Sequence, residues 1–241
     1  MTDLTTTPVP RKNAIARAVG VVFSPRETYA DVAAYPTVLV ALLIVLTVML
    51  GAQAIFTATD LGRDLMIEEG VRMIERFGLQ VTDQMYAQIE RQASQTWIRS
   101  VVGGAVFLTM FAAILAGVLF AIFNAIMGGN ARFKQVFSIV VHSGYLLALQ
   151  TLFIYPMFYA KQSMSSPTSL AVFLPGLDPE TFVGRIVGGI DFFRLWWIVN
   201  LSIGVGVLYK RKSSPIITSM LIVYALIVLA VAAISAAFSG A

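Results

Sequence analysis

The sequence contains no cysteine and only one histidine, and both shortages exclude chemistry. Without thiols there is no disulfide, no thiolate nucleophile and no cysteine-ligated metal. The single histidine, His142, has no histidine, cysteine or acidic neighbour at the spacing of a metal site. A Ser/His/Asp hydrolase would need its residues brought together from separate segments, and no G-x-S-x-G motif supports one. We therefore predict no enzymatic activity, no metal and no cofactor.

Charged residues are also scarce. They make up 12% of the chain, against about 25% in soluble proteins, while 58% of the residues are hydrophobic. The net charge of +4 is spread over short connecting segments and is not gathered into a basic face with interleaved aromatic residues. This distribution argues against nucleic acid as a partner. The composition is typical of a membrane protein, with the lipid bilayer as its first partner.

Five long apolar stretches dominate the chain. At about 1.5 Å rise per residue, each can cross a hydrocarbon core of ~30 Å as a helix, and they offer no polar stripe to water. The stretches cover residues 37–56, 101–127, 136–159, 191–209 and 216–238. They predict an all-α, polytopic membrane protein, with a five-transmembrane-helix bundle over residues 37–241. The second stretch would extend ~40 Å, so we expect it to tilt or protrude as one unbroken helix.

Residues 1–36 predict an organised N-terminal segment with two short helices. Apolar residues recur at helical spacing at Ile15, Val19, Val22 and Phe23, which suits an amphipathic helix lying on the membrane surface. The run from Ser24 to Glu27 then has the pattern of a capping box with proline at the first helical position. A second, capped short helix should therefore start there and stop before Pro36.

Residues 58–100 predict an inserted, extramembrane helical hairpin. Glu68 and Arg72 form an i,i+4 pair, and Gly78 is a suitable end for the first helix. The second helix carries an apolar residue at every fourth position: Met85, Ile89, Ala93 and Trp97. These stripes favour self-packing or contact with the membrane interface over a ligand groove. The 60–97 hairpin is nevertheless the best extramembrane surface for a protein partner.

Basic residues orient the predicted bundle. With five spans, the N-terminal segment and the second and fourth connections lie on one side, with these nine cations: Arg11, Lys12, Arg17, Arg26, Arg132, Lys134, Lys210, Arg211 and Lys212. On the other side, five arginines of the long first connection are mixed with seven acidic residues. The positive-inside rule then predicts a cytoplasmic N-terminus, an extracytoplasmic hairpin and an extracytoplasmic C-terminus. The Lys210-Arg211-Lys212 turn is a topology determinant or a lipid headgroup contact.

Polar residues inside the spans form a predicted intramembrane cluster. Its members are Asn124, His142, Gln150, Asp191, Arg194 and Asn200. Because a charged residue at a helix centre costs ~3 kcal/mol on insertion scales, they should face the bundle interior. There they would form interhelical hydrogen bonds or line a transport path. Asp191 can pair with Arg194 in the first turn of the fourth span or act as an ion-coupling carboxylate.

Three short motifs resemble those of bacterial members of the Yip-domain family, the Ypt/Rab-interacting proteins of the Yip-one type. They are the elbow at residues 23–29, the Gly128-Gly129 turn followed by residues 133–135, and residues 191–196 at the start of the fourth span. The resemblance covers roughly residues 12–238. Two segments depart from it: residues 142–145, where small residues and a proline are expected, and the hairpin, which looks like an insertion.

The resemblance implies a five-span bundle with a cytoplasmic N-terminus and no known enzymatic activity. Eukaryotic relatives act in vesicle trafficking with small GTPases, a role that a prokaryotic-looking chain does not simply inherit. We therefore expect a non-catalytic scaffold or partner-binding protein of the bacterial cytoplasmic membrane. The alternative is a small transporter, channel or transporter subunit that uses the polar residues of spans two to four. Internal repeats would favour transport, and the five spans do not divide into halves.

The charge distribution makes the topology testable. Reporter fusions at Ala241 and within the 60–97 hairpin should both report an extracytoplasmic location, because nine cations lie in the short segments of the other side. Paired alkaline phosphatase and green fluorescent protein fusions measure this directly. A cytoplasmic signal from either position contradicts the five-span arrangement.

Overall fold

A computed structural model describes residues 11–93 and 97–239, excluding the side chains of Trp97 and Ser239. Within these ranges the chain is all-α, with helices connected by short turns and one longer loop. The ten α-helices are α1 Ala14–Phe23, α2 Pro25–Ala34, α3 Leu39–Thr57, α4 Asp60–Glu75, α5 Asp83–Ala93, α6 Trp97–Phe120, α7 Phe133–Lys161, α8 Phe182–Gly189, α9 Phe192–Leu208 and α10 Ser213–Ser239. A π-helical segment, Ala121–Ile126, extends α6, and a 3-10 helix spans Leu170–Phe173.

Four helical segments in the described chain are long and apolar enough to cross a membrane. They are Leu39–Thr57, Ile98–Ile126, Phe133–Lys161 and Ser213–Phe238. The predicted span at residues 191–209 forms α9, which has only 17 residues. Helix α9 packs against α2, α7 and α10. The described chain therefore has four full-length candidate membrane spans and a shorter apolar helix packed among them.

The second apolar stretch is unbroken, as predicted. Helix α6 continues directly into the π-helical segment, where the amide of Met127 donates to the carbonyl of Ile122 at 3.0 Å. This i to i+5 bond marks a wider turn, so the helix changes its winding near its end without separating into two helices. The whole apolar run covers 29 residues.

Helix α7 is the centre of the bundle. More than half of its most apolar window is buried, and it contacts α1, α2, α3, α6 and α9. Its Ile139 is fully buried against α9 at Gly204, where an added Cβ would lie 2.6 Å from the isoleucine side chain. A larger residue at Gly204 would therefore force α7 and α9 apart. This close approach places α9 inside the bundle.

The two N-terminal helices pack on the bundle, and the simple picture of α1 lying on the membrane surface is incomplete. Arg17 of α1 is 3% exposed and its Nε donates to Oδ2 of the fully buried Asp31 on α2 at 2.6 Å. The apolar residues Ile15, Val19 and Phe23 are the exposed ones. Helix α1 thus turns its charge inward and its apolar side outward, which suits contact with lipid. Residues 1–10 of the predicted N-terminal segment lie outside the described residues.

The predicted capping box was wrong. Helix α2 does begin at Pro25, but the Ser24 side chain makes no capping hydrogen bond. The backbone amide of Ser24 donates to the carbonyl of Gly20 at the end of α1, so it is not available to Glu27. The exposed Glu27 carboxylate lies 3.9 Å from Nζ of Lys12. The proline signal therefore located the helix start correctly, while the serine and glutamate pattern assigned the wrong partners.

Helices α4 and α5, which cover most of the predicted hairpin, pack against each other. An added Cβ at Gly70 would lie 2.9 Å from the Ile89 side chain, so glycine permits this close contact. The Glu68–Arg72 pair forms at 2.5 Å. Helix α4 ends at Glu75, slightly before the predicted stop. The side chain of Trp97, the last residue of the predicted stripe, lies outside the described residues.

We expect Arg17→Met to destabilise the folded protein by about 3–5 kcal/mol, because it leaves the buried Asp31 carboxylate without its cation. Thermal unfolding in detergent, followed by size-exclusion chromatography, measures the effect. Arg26→Met is the matched control, since Arg26 is an exposed arginine on α2. Equal stability of the two variants would contradict a structural role for the ion pair.

Candidate functional site

The six residues of the predicted polar cluster do not lie together. Asn200 bonds to the N-terminal helices, His142 lines a pocket beside them, Gln150 and Asp191 meet at the opposite end of the bundle, and Asn124 bonds near the end of α9. Arg194 is exposed. The hydrogen bonds of these residues therefore belong to separate local arrangements.

Asn200 connects α9 to both N-terminal helices. The Tyr29 hydroxyl donates to Asn200 Oδ1 at 2.5 Å, and Asn200 Nδ2 donates to the carbonyl of Val21 at 2.7 Å. Tyr29 and Asn200 are both essentially buried, and burial raises the pKa of Tyr29, so its hydroxyl keeps the proton that it donates. The arrangement satisfies polar groups that would otherwise be costly in the interior. Asn200 thus has the structural role of an interhelical hydrogen-bonding residue.

His142 is 1% exposed on the central helix α7. Its Nδ1 lies 2.7 Å from the backbone carbonyl of Ser138. Because a carbonyl only accepts, the proton is on Nδ1, and Nε2 is left as a hydrogen-bond acceptor. The ring meets Tyr145 edge-on, with the two ring centroids 5.7 Å apart.

A pocket of about 380 Å³ lies beside His142, and we call it the N-terminal pocket. Its polar lining comes from the start of the described chain and from α7: Arg11, Lys12, Asn13, Arg17, Thr37, His142 and Tyr145. Its apolar lining includes Val40 and Ala41 in the first turn of α3. The pocket therefore lies where the polar N-terminal segment meets the first long apolar helix.

Asp191 anchors the opposite end of the bundle. The carboxylate is the N-cap of α9 and accepts from the backbone amides of Phe193 at 2.9 Å and Arg194 at 3.2 Å. It also accepts from Gln150 Nε2 at 3.0 Å. The backbone amide of Arg194, and not its exposed side chain, is the contact with Asp191. The predicted side-chain pairing of these two residues is therefore replaced by a helix cap.

Two hydroxyl groups complete the environment of Asp191. Ser166 Oγ donates to Oδ2 at 2.8 Å, and Thr168 Oγ1 donates to the same oxygen at 2.5 Å. Both come from the loop after α7, so the carboxylate joins that loop to the start of α9 and to α7. With five donors in contact and 2% exposure, the carboxylate is satisfied by the protein itself. This geometry favours a structural anchor over an ion-coupling site.

Asn124 and the basic turn lie near each other at the N-terminal end of the bundle. Tyr209 donates its hydroxyl to Asn124 Oδ1 at 2.7 Å, and Asn124 Nδ2 donates to the carbonyl of Ala131 at 2.7 Å. Arg211 donates to the carbonyl of Met127 at 2.8 Å. Within the predicted lipid-contacting turn, Arg211 therefore connects two loops, while the flanking lysines are exposed.

Sequence reasoning missed the buried Arg17–Asp31 pair. Arg17 also donates to Thr37 Oγ1 at 2.5 Å and to the carbonyl of Tyr35 at 3.0 Å, so one guanidinium joins α1, α2 and the start of α3. A signal was present, because Asp31 is an acidic residue in the otherwise apolar second half of α2. The sequence did not identify its partner, which lies 14 positions earlier.

The described residues contain no group of three or more histidine, cysteine or acidic side chains placed to hold a metal. The family model for the Yip1 domain matches residues 19–235 of this chain. No curated protein and no solved structure matches the chain.

We expect Asp191→Asn to destabilise the protein by about 2 kcal/mol or more. The amide group places an N–H donor where the loop hydroxyls and the helix amides all donate, and it removes the charge that strengthens those bonds. Thermal unfolding of the purified protein measures the change. Asp64→Asn is the matched control, because Asp64 is an exposed carboxylate on α4. An unchanged melting temperature for Asp191→Asn would contradict the anchor.

Proposed function

This chain belongs to the Yip1 domain family of membrane proteins, and from this premise we propose that it is a non-catalytic integral membrane scaffold that binds a protein partner. The family match covers most of the chain, and four helical segments of the described part are suited to span a bilayer. In this scaffold the interior has a structural role, and the extramembrane surface binds the partner.

The separation of the interior polar groups is the observation that carries this proposal. Asn200, Asp191 and Asn124 each use their side chains in hydrogen bonds to neighbouring elements, at different places in the bundle. A transport path needs polar groups that are free to exchange protein partners for a substrate along a continuous route. Side chains already occupied by helix caps and interhelical bonds favour a rigid scaffold instead.

We also propose the five-span topology with the N-terminal end in the cytoplasm. Gln135 at the start of α7 donates to the carbonyl of Ala33 at 2.9 Å, which places α2 beside the 127–132 turn. The Arg211 contact brings the turn between α9 and α10 to the same end. The cation-rich segments are thus together, and the positive-inside rule favours a cytoplasmic location for them. Helix α9 would span ~25 Å, and much of it is buried among its neighbours.

The hairpin formed by α4 and α5 is the proposed surface for the protein partner. It exposes large apolar side chains beside charged ones, including Met73, Phe77 and Tyr86. Arg76 lies 3.7 Å from Glu180, so an ion pair holds α4 near the loop that precedes α8. An exposed apolar surface outside the long apolar helices favours a protein contact.

Site-specific photocrosslinking tests the assignment of the partner surface. With a photoreactive residue at Met73 or Tyr86, the native membrane should yield protein adducts, whereas Phe107, an exposed residue of α6, should give mainly lipid adducts. The adduct formed from Met73 should disappear in Tyr86→Ser, and the adduct formed from Tyr86 should disappear in Met73→Ser. Adducts formed equally from all three positions would contradict a specific hairpin surface.

Reconstitution separates the scaffold from the transporter alternative. Purified protein in liposomes should show no ion flux, and His142→Ala should change only stability, because the His142 ring bonds to its own helix. An ion flux that disappears in His142→Ala or Asp191→Asn would overturn the scaffold proposal and assign those residues to a transport path.

A further inference from the structure

The N-terminal pocket lies at the end of the bundle opposite the hairpin, and the proposed partner surface does not use it. Its walls come from three parts of the chain: the segment that opens α1, the first turn of α3 and the middle of α7. A water molecule takes about 30 Å³, so a volume of about 380 Å³ is far too large for one water. The pocket is large enough for the headgroup of a ligand.

The charge of the lining favours an anion. Among the described residues, Arg11, Lys12 and Arg17 line the pocket and no carboxylate does. Arg17 is paired with Asp31. Lys12 bonds to Thr28 at 3.1 Å and lies 3.9 Å from the Glu27 carboxylate. Arg11 is exposed at the pocket, and its charge is therefore the one most readily available to a ligand.

Helix α1 adds a second source of positive potential. Its first residues, from the N-cap Asn13 to Ala14, line the pocket. The Asn13 side chain accepts from Ala16, which leaves the first amides of the helix outside this cap. Helix N-termini carry about half a positive elementary charge and present N–H groups to anions.

Tyr145 is a buried polar residue in the lining of this pocket, and its hydroxyl is unpaired within the described chain. The residue is 6% exposed, and its hydroxyl is buried with no hydrogen-bond partner among the described residues. A buried hydroxyl without a partner is energetically costly, so a folded protein rarely retains one without a role. Tyr145 lines the same pocket as the cations, and its hydroxyl is a donor that an anionic oxygen would satisfy.

Apolar surface beside the pocket identifies the source of the anion. Val40 both lines the pocket and is half exposed, and its neighbours Leu39 and Leu43 are exposed on the same helix. On the other side, α1 exposes Ile15. A ligand in this position would hold its charged group among the cations while its apolar part lies along α3. That combination is the chemistry of a phospholipid.

We propose that the N-terminal pocket binds the phosphate group of a membrane phospholipid, with Arg11 and the α1 N-terminus holding the charge and Tyr145 donating a hydrogen bond. The acyl chains lie against the exposed face of α3. The site fixes one lipid beside the Arg17–Asp31 pair, at the junction between the N-terminal helices and the bundle. It goes beyond the partner surface proposed for the hairpin, and either proposal can fail without the other.

The test compares three probes on the purified full-length protein in detergent: short-chain phosphatidic acid, the diacylglycerol with the same chains, and inorganic phosphate. Binding is measured as a shift in melting temperature over a concentration series. Phosphatidic acid should stabilise the protein, and the other two probes should not. Equal stabilisation by inorganic phosphate would identify a free-phosphate site and overturn the lipid assignment. Equal stabilisation by diacylglycerol would overturn the phosphate site.

Two variants locate the effect. Tyr145→Phe should weaken phosphatidic acid binding about tenfold without lowering the melting temperature of the unliganded protein, because the hydroxyl makes no bond within the described structure. Arg11→Gln lies on an exposed residue, so it tests the charge without affecting the core. Tyr159→Phe and Arg26→Gln are the matched controls at exposed positions. Unchanged affinity in both pocket variants, or equal loss in the controls, would overturn the proposal.

Discussion

The buried ion pair between Arg17 and Asp31 is the constraint on which the N-terminal half of this structure depends. A charge removed from water must be paired, since either residue alone would carry a penalty of several kcal/mol. Pairing fixes α1 against α2, and the remaining guanidinium donors fix both helices to the start of α3. In this position Tyr29 bonds to Asn200 of α9, and the carbonyl of Ala33 accepts from Gln135 of α7. The ion pair is thus part of a network that connects five helices.

Hydrophobic length predicted the long helices because it is a local property. Four of the five apolar stretches became helices suited to span a membrane, and the Glu68–Arg72 pair formed at its expected spacing. The polar network was not predictable in the same way. Tyr29 and Asn200 are separated by 171 positions, and a polar residue in a span shows that it needs a partner without showing which one. The donors to Asp191 from the loop after α7, Ser166 and Thr168, escaped prediction for the same reason.

The outer surface of the bundle is apolar, as contact with lipid requires, and the polar groups of its interior need hydrogen-bond partners within the protein. Exposed leucine, isoleucine and phenylalanine side chains cover α6 and α10. Inside, buried polar side chains such as Asn200 and Ser202 bond to backbone carbonyls, and the Tyr145 hydroxyl is an exception. In hydrocarbon no water can replace a lost partner, so such bonds keep the helices in a single arrangement. A scaffold needs this property, because its two ends must present their surfaces in a fixed relation.

The Tyr29–Asn200 contact also has a consequence for assembly. Synthesis proceeds from the N-terminus, so α1 and α2 emerge long before Asn200, the residue of α9 to which Tyr29 bonds. During that interval the apolar side of α1, with Ile15 and Phe23, can remain at the membrane surface while the first spans insert. We therefore expect the docking of α2 on α9 to be a late step of biogenesis. Helices α1 and α2, although made first, would thus complete the bundle, because α2 can bond to α9 only after α9 has been inserted.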